Sequence, residues 1–189
     1  EEATNLFGQC IVVARGCAET LNLNAMLILL LMCKHFLTLL RKTPVRFAFP
    51  FDTTHELHIG IGIVFALLAV SHTCAHICDI YRFAHADEDD ITALFGDRLG
   101  PPKSVGGRWA YFLSTRAGIT GVLMVLCMIV AYSFAFNRRK HFNRFWYSHH
   151  LLLAMLILMC IHGTGQLLEP FETVYWLIGP LALYFIPRF

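Results

Sequence analysis

Four histidines lie inside two strongly apolar segments of this chain, and they constrain its fold more than any other feature. His58 and His72 share one segment, and His149 and His162 share the other. An imidazole is costly in hydrocarbon, so a pair of histidines within one apolar segment predicts a bound partner. The members of the two pairs are 14 and 13 residues apart, which is about 20 Å along a helix. This matched spacing predicts two helices that each carry one ligand near either end.

The composition is that of a membrane protein. Hydrophobic residues make up 57% of the 189 residues and charged residues 15%, whereas a soluble domain of this length exposes more charge. The net charge of +2 gives no sign of a nucleic-acid-binding surface. The seven cysteines form no regular framework. We therefore expect them to be small buried hydrophobic residues rather than disulfide or metal-binding cysteines.

Five apolar stretches predict membrane-spanning helices in an all-α helix bundle. They cover residues 21–40, 57–80, 110–136, 145–162 and 174–186. Each is near the roughly 20 residues that cross the hydrocarbon core, although the last is short. The expected protein is therefore a multi-pass integral membrane protein that sits in the lipid bilayer.

Charge in the connecting loops predicts the orientation of this bundle. Basic residues cluster between the first and second helices and between the third and fourth, whereas residues 87–90 of the intervening loop are all acidic. By the positive-inside rule the basic loops face the cytosol and the acidic loop faces the exterior. His58 and His149 then lie near the cytosol, and His72 and His162 near the exterior. The N-terminus falls outside, so we expect a further helix to precede this sequence.

Haem is the partner that this arrangement predicts, because imidazole is a strong axial ligand of haem iron. Matching depths pair His58 with His149 and His72 with His162, which gives two stacked haems. On an ideal helix His58 and His72 share one face, but His149 and His162 lie about 140° apart. His150 is no better placed, at about 120° from His162. Helical phase leaves His149 and His150 both open, and a tilt or a π-bulge would have to absorb the difference.

The sequence also permits a metal-transport site. His72, Cys74, His76 and Cys78 lie close together in the sequence. Because they alternate along one helix, their side chains do not converge on a single ion. The haem interpretation is therefore the stronger one.

Several short segments resemble the transmembrane domain of the NADPH oxidases. They are VARG at 13–16, LNLNAMLILL at 21–30, PFD at 50–52, HTCAH at 72–76, GITGV at 118–122, FWYSHHL at 145–151 and IHG at 161–163. The details resemble the calcium-regulated and plant respiratory burst oxidases in particular. The resemblance covers nearly the whole chain.

The resemblance implies a fold, a set of cofactors and an activity. Members of the family have six transmembrane helices, two b-type haems and a cytosolic domain that binds FAD and NADPH. This chain resembles helices two to six as a single transmembrane haem-binding domain, without the first helix or the cytosolic domain. Electrons would pass from NADPH through FAD, the inner haem and the outer haem to O2 on the exterior or lumenal side, producing superoxide.

The same resemblance assigns individual residues. The inner ligands fall on His58 and on His149 rather than His150, and the outer ligands on His72 and His162. Arg15 and His76 match family positions around the oxygen site, where positive charge or a hydrogen-bond donor favours a developing anion.

This chain departs from the family pattern between the haems. Met155 or Leu156 stands where members often carry an aromatic side chain, and Phe65 can occupy the gap instead.

Two other functions use the same pair of haems. A ferric-chelate reductase would pass the electron to chelated iron at the exterior face. A non-catalytic cytochrome b subunit would relay it to a protein partner. Only the resemblance at Arg15 and His76 favours oxygen over these acceptors.

Overall fold

The computed structural model describes residues 6–95, 104–164 and 172–185. All secondary-structure elements in these ranges are helices, and the ranges contain no strand. The prediction of an all-α fold is confirmed. The helices are α1 Gln9–Met32, α2 Lys34–Arg41, α3 Thr54–His85, α4 Glu88–Phe95, α5 Val105–Ser114, α6 Arg116–Phe136, α7 Phe142–His149, α8 Leu151–Gly163 and α9 Thr173–Phe185. Two short 3-10 turns, Pro44–Phe47 and Phe51–Thr53, precede α3.

Four stretches of the described residues are long and apolar enough to cross a membrane. They are Gln9–Met32, Phe51–His85, Arg116–Phe136 and Phe142–Gly163. Helix α9 is apolar but has 13 residues, and residue 186, the last of the fifth predicted helix, lies outside the described residues. A length of about 20 apolar residues is what the hydrocarbon core requires, so four of the five predicted membrane-spanning helices are confirmed.

The first membrane helix begins earlier than predicted. Instead of residues 21–40, α1 covers Gln9–Met32 and ends where Cys33 leaves the helical conformation, with φ −80° and ψ 78°. Arg15 and Glu19 lower the hydropathy of the first half, although an apolar run precedes them. Beyond Cys33, the separate helix α2 carries Lys34 and Arg41 at its ends. Arg15 therefore lies within the helix and not ahead of it.

Helix α3 is a single continuous helix of 32 residues, and it carries both His58 and His72. Its C-terminal end is held by the buried side chain of Arg108, which donates to the carbonyl oxygens of Ala84 at 3.4 Å and Ala86 at 2.6 Å. A cation at this position satisfies carbonyls that have no partner within the helix and complements the helix dipole. The prediction that the two histidines share one uninterrupted helix is confirmed.

The third predicted helix, 110–136, is divided at Thr115 into α5 and α6. The Thr115 hydroxyl accepts a hydrogen bond of 3.0 Å from the backbone N–H of Gly118, which caps the start of α6. The turn is tight: a Cβ on Gly118 would lie 2.5 Å from the carbonyl oxygen of Phe112. Only glycine permits this close approach, so the break is encoded locally by Thr115 and Gly118.

The fourth predicted helix is divided at His150 into α7 and α8. The N–H of His150 bonds to the carbonyl of Tyr147 at 3.2 Å, and the N–H of Leu153 bonds to the carbonyl of His150 at 3.0 Å. These are bonds between residues three apart, which wind the chain more tightly than an α-helix. A tight turn therefore lies where the sequence predicted either a tilt or a π-bulge. Extra winding reduces the 140° offset between His149 and His162, whereas a π-bulge would unwind the helix and increase it.

The chain forms two compact units, Glu1–Asp79 with Val174–Phe189, and Ile80–Thr173. In the first unit a disulfide joins Cys10 of α1 to Cys78 of α3. The prediction that the cysteines are unbonded is wrong for this pair, because the partners are 68 residues apart on different helices and no local spacing reveals them. In the second unit α6 packs along α7 and α8.

Candidate functional site

His72 is held by the backbone of α1 in the first unit. Its Nδ1 lies 2.9 Å from the carbonyl oxygen of Ala14. Because a carbonyl oxygen can only accept a hydrogen bond, Nδ1 carries the proton and Nε2 carries the lone pair. A metal ligated by His72 would therefore be bound through Nε2.

His162 is held in the same way by a side chain of the second unit. Its Nδ1 lies 2.9 Å from the hydroxyl oxygen of Thr120, which is buried on α6. The Thr120 hydroxyl donates its own proton to the carbonyl of Arg116 at 2.7 Å, so toward His162 it acts as the acceptor. Again Nδ1 carries the proton and Nε2 the lone pair. Gly121 lets α6 approach closely, since a Cβ there would lie 3.5 Å from Cε1 of His162.

His58 and His149 are both half-buried. His149 ends α7, where its ring lies 5.0 Å from the ring of Phe145. The neighbouring His150 is exposed, and its Nδ1 bonds back to the carbonyl of Trp146 at 2.7 Å within its own segment. The two adjacent histidines, which helical phase left equivalent, therefore differ in exposure.

The six predicted site residues fall into two groups. Arg15, His58, His72 and His76 belong to the first unit, and His149 and His162 to the second. The pairing of these histidines in two haem sites stays a prediction.

The structure brings His72 and His76 into contact, and Arg15 follows a residue that binds His72. The ring of His76 stands edge-on to that of His72, with centroids 4.4 Å apart and an interplanar angle of 88°. Arg15 follows Ala14, whose carbonyl oxygen accepts from His72. The backbone of Arg15, within α1, therefore lies near the ring of His72. His58 lies 14 residues earlier on α3.

Sequence reasoning missed Asp79. This residue is 1% exposed, and its Oδ2 lies 3.2 Å from Nδ1 of His76. The sequence did contain a signal for Asp79, because an acidic residue within an apolar helix is as unusual as a histidine. The spacing of three residues also places Asp79 beside His76 on the helix. Thr120 was also missed, because it contacts His162 of a different helix and the sequence pattern does not show which residues of two helices meet.

A metal site at His72, Cys74, His76 and Cys78 is contradicted. The sulfur of Cys78 is bonded to Cys10, and Cys74 is exposed. Across residues 6–95, 104–164 and 172–185, no group of three or more metal-binding side chains comes together. The metal-transport alternative therefore loses its candidate residues.

The two histidines predicted to bind the outer haem have surroundings that suit such a group. Histidines that bind metals usually donate the other ring N–H to a carbonyl or similar acceptor, which fixes the tautomer and the orientation of the ring. His72 and His162 both show this arrangement. Phe65, between His58 and His72 on α3, and Met155 on α8 are both buried.

Comparison with known proteins identifies the family. The family described as the ferric reductase like transmembrane component matches residues 16–160. This chain belongs to that family. The match runs from within α1 to most of α8 and includes every predicted ligand except His162. A ferric reductase-like component is a membrane domain, in agreement with the apolar helices.

The relatives of this ferric reductase-like chain are oxidases. It is 32% identical to the probable respiratory burst oxidase homolog protein I of Arabidopsis thaliana, over 97% of this chain and 21% of the relative. It is 32% identical to a superoxide-generating NADPH oxidase heavy chain of Dictyostelium discoideum, over 98% and 36%. For dual oxidase 1 of Rattus norvegicus the identity is 32%, over 92% and 12%. The predicted resemblance is confirmed, and the chain spans about a third or less of these relatives.

Proposed function

We propose that this chain is the transmembrane electron-transfer domain of an NADPH oxidase. It would carry electrons from a cytosolic donor domain to O2 on the exterior or lumenal side, where superoxide forms. The observation that carries this proposal is the paired arrangement at His72 and His162, in which Nδ1 donates to a fixed acceptor. The names of the relatives, which include a superoxide-generating NADPH oxidase, support the choice of acceptor.

His58 and His149 would hold the inner b-type haem, and His72 and His162 the outer one. Exposure favours His149 over His150, because a ligand lies at a buried site and His150 is exposed. When bound, a haem with two imidazole ligands has no open coordination position and serves as a one-electron carrier. The protein contributes the orientation of the imidazoles, through Ala14 on one side and Thr120 on the other.

Arg15 and His76 would favour the product at the exterior end. Superoxide is an anion, so positive charge or a donor beside the point of electron transfer stabilises it as charge develops. His76 is in ring contact with His72, and Arg15 is the residue after Ala14, which bonds to His72. The buried side chains of Phe65 and Met155 would fill the space between the two haems.

The remaining parts of the electron path would lie in flanking sequence. The relatives extend well beyond the matched region, which agrees with a first helix and a cytosolic domain that holds FAD and NADPH. This chain would supply helices two to six of a six-helix membrane domain.

Ligand variants in the full natural protein test the proposal. We expect His72→Ala or His162→Ala to remove the outer haem, and His58→Ala or His149→Ala to remove the inner one. His150→Ala is the matched control and should retain both haems. Haem content and a redox titration of the low-spin spectrum measure the outcome. Two low-spin haems in any of the four ligand variants would contradict the assignment.

Ferric-chelate reduction is the second candidate, because the matching family is described as ferric reductase-like. Both functions use the same four histidines, so the acceptor must be measured directly. The reduced protein is mixed with O2 or with a ferric chelate, and haem reoxidation is followed by absorbance. Faster reoxidation by O2 supports the oxidase, and faster reoxidation by the chelate supports the reductase.

A further inference from the structure

Asp79 is the most buried acidic side chain among the residues that the structure describes, with 1% of its surface exposed. It lies on α3, within the stretch long and apolar enough to span the membrane. A carboxylate in such surroundings is costly unless it is paired. The proposed function assigns no role to this buried carboxylate.

The contacts of Asp79 are few and specific. Its Oδ2 lies 3.2 Å from Nδ1 of His76. Within the described ranges its Oδ1 has no hydrogen-bond partner. No lysine or arginine of those ranges forms an ion pair with it. Its one polar contact there is therefore the imidazole of His76.

This contact fixes the ring of His76. A carboxylate accepts hydrogen bonds, so Nδ1 of His76 carries a proton directed at Asp79. The ring is held on another side by its edge-on contact with His72 at 4.4 Å. The Asp79 side chain is 2% exposed, whereas that of His76 is 36% exposed. The carboxylate is thus more deeply buried than the imidazole. Because the contact is made through Nδ1, Nε2 is directed away from Asp79.

The backbone on either side of this pair is also anchored. Next to Asp79, Cys78 is joined by the disulfide to Cys10 of α1. On the other side of His76, His72 donates a hydrogen bond to the carbonyl oxygen of Ala14 in the same helix α1. Two links to α1 therefore bracket His76, and the pair sits on a stretch of α3 that has little freedom to move.

We propose that Asp79 is a positioning residue that fixes the tautomer and orientation of His76 at the oxygen site. The inference rests on the proposed function, since it assigns Asp79 to the same exterior end. Asp79 acts through His76 and does not itself touch oxygen. Loss of its carboxylate should weaken productive encounter with O2, while electron delivery from the donor side continues.

The test uses the full natural protein in membranes and measures KM and kcat for O2. We expect Asp79→Ala to raise the KM for O2 about fivefold, the effect of losing one charge-assisted hydrogen bond that orients a reacting group. The kcat at saturating O2 should change less than about twofold. Asp79→Asn keeps an acceptor oxygen within reach of Nδ1 and should rescue the KM. The side chain of Asp79→Ser is too short to reach His76, so this variant should behave like Asp79→Ala. It replaces Asp79→Ala in the test if that variant does not accumulate.

A double-mutant cycle isolates the path through His76. In a His76→Ala background, Asp79→Ala should have no further effect on the KM for O2, because coupled residues are not additive. Asp52→Ala is the matched control: Asp52 is an exposed carboxylate, paired with Arg41 at 2.7 Å, and its loss should leave the KM unchanged.

Nitrogen-15 NMR of labelled histidine supplies a readout that is independent of turnover. The His76 signal, assigned by its loss in His76→Ala, should show a protonated Nδ1 in the wild type and in Asp79→Asn, and a mixture of tautomers in Asp79→Ser. Equal effects of asparagine and serine, additive effects in the cycle, or haem loss in every Asp79 variant would overturn the inference. A wild-type protein that binds haem but does not reduce O2 would overturn the proposed function and this inference together.

Discussion

At the scale of single residues, the exterior histidines are oriented by two different acceptors. His72 donates to the backbone carbonyl of Ala14, which no side-chain substitution removes. His162 donates to the hydroxyl of Thr120, which a substitution can remove. The two histidines were predictable because histidine is rare in apolar segments and the spacing is matched. Their acceptors were not predictable, because each comes from another helix that no sequence pattern aligns with the histidine.

Removing the Thr120 hydroxyl should weaken the outer haem. Thr120→Val keeps the size of the side chain but leaves Nδ1 of His162 without this acceptor, and such changes typically weaken metal binding by about 10- to 100-fold. The rate at which haem transfers to an acceptor globin measures the effect. Thr120→Ser should retain the haem. Ser133→Ala is the control, since Ser133 is an exposed residue on the same helix whose hydroxyl donates to the carbonyl of Ile129. Equal haem loss from Thr120→Val and Ser133→Ala would refute the role of Thr120.

At the scale of helices, the sequence predicted which segments are apolar but not where they bend. The breaks at Thr115 and His150 lie inside stretches of near-uniform hydropathy, and they depend on hydrogen bonds between residues three apart. The break at His150 changes the winding between His149 and His162, so the phase of an ideal helix does not apply there. Ideal phase does apply to His58 and His72, because their helix is continuous.

The disulfide gives a prediction at this scale. Cys10→Ser and Cys78→Ser should each destabilise the protein by about 2 kcal/mol, since a disulfide that closes a long loop typically contributes this much or more. The double variant should be no worse than either single variant, because both remove the same bond. Thermal unfolding followed by haem absorbance measures the loss. Cys74→Ser is the control, because Cys74 is an exposed free cysteine on the same helix.

The disulfide also tests the orientation of the chain. Disulfides persist in oxidising compartments, and Cys10 and Cys78 lie at the ends of α1 and α3 that the basic loops place outside. In intact cells, an impermeant reductant followed by an impermeant thiol label should modify this pair. Labelling only after the cells are opened would mean that the predicted orientation is reversed.

At the scale of the whole molecule, composition and the apolar stretches predicted a multi-pass membrane protein, and the helices and the family confirm it. The chain spans 21% of one plant relative and 36% of the Dictyostelium relative. The membrane domain would carry electrons between two compartments. This directionality distinguishes an NADPH oxidase from a soluble enzyme that uses the same cofactors.

Proteoliposomes that contain the full natural protein show whether electrons cross the membrane to reach oxygen. NADPH is added on the side of the basic loops, and superoxide is detected by an impermeant reporter on each side. We expect superoxide only on the opposite side, and none when His72 is replaced by alanine. Superoxide on the same side as NADPH, or an undiminished signal from His72→Ala, would contradict electron transfer across the membrane to oxygen.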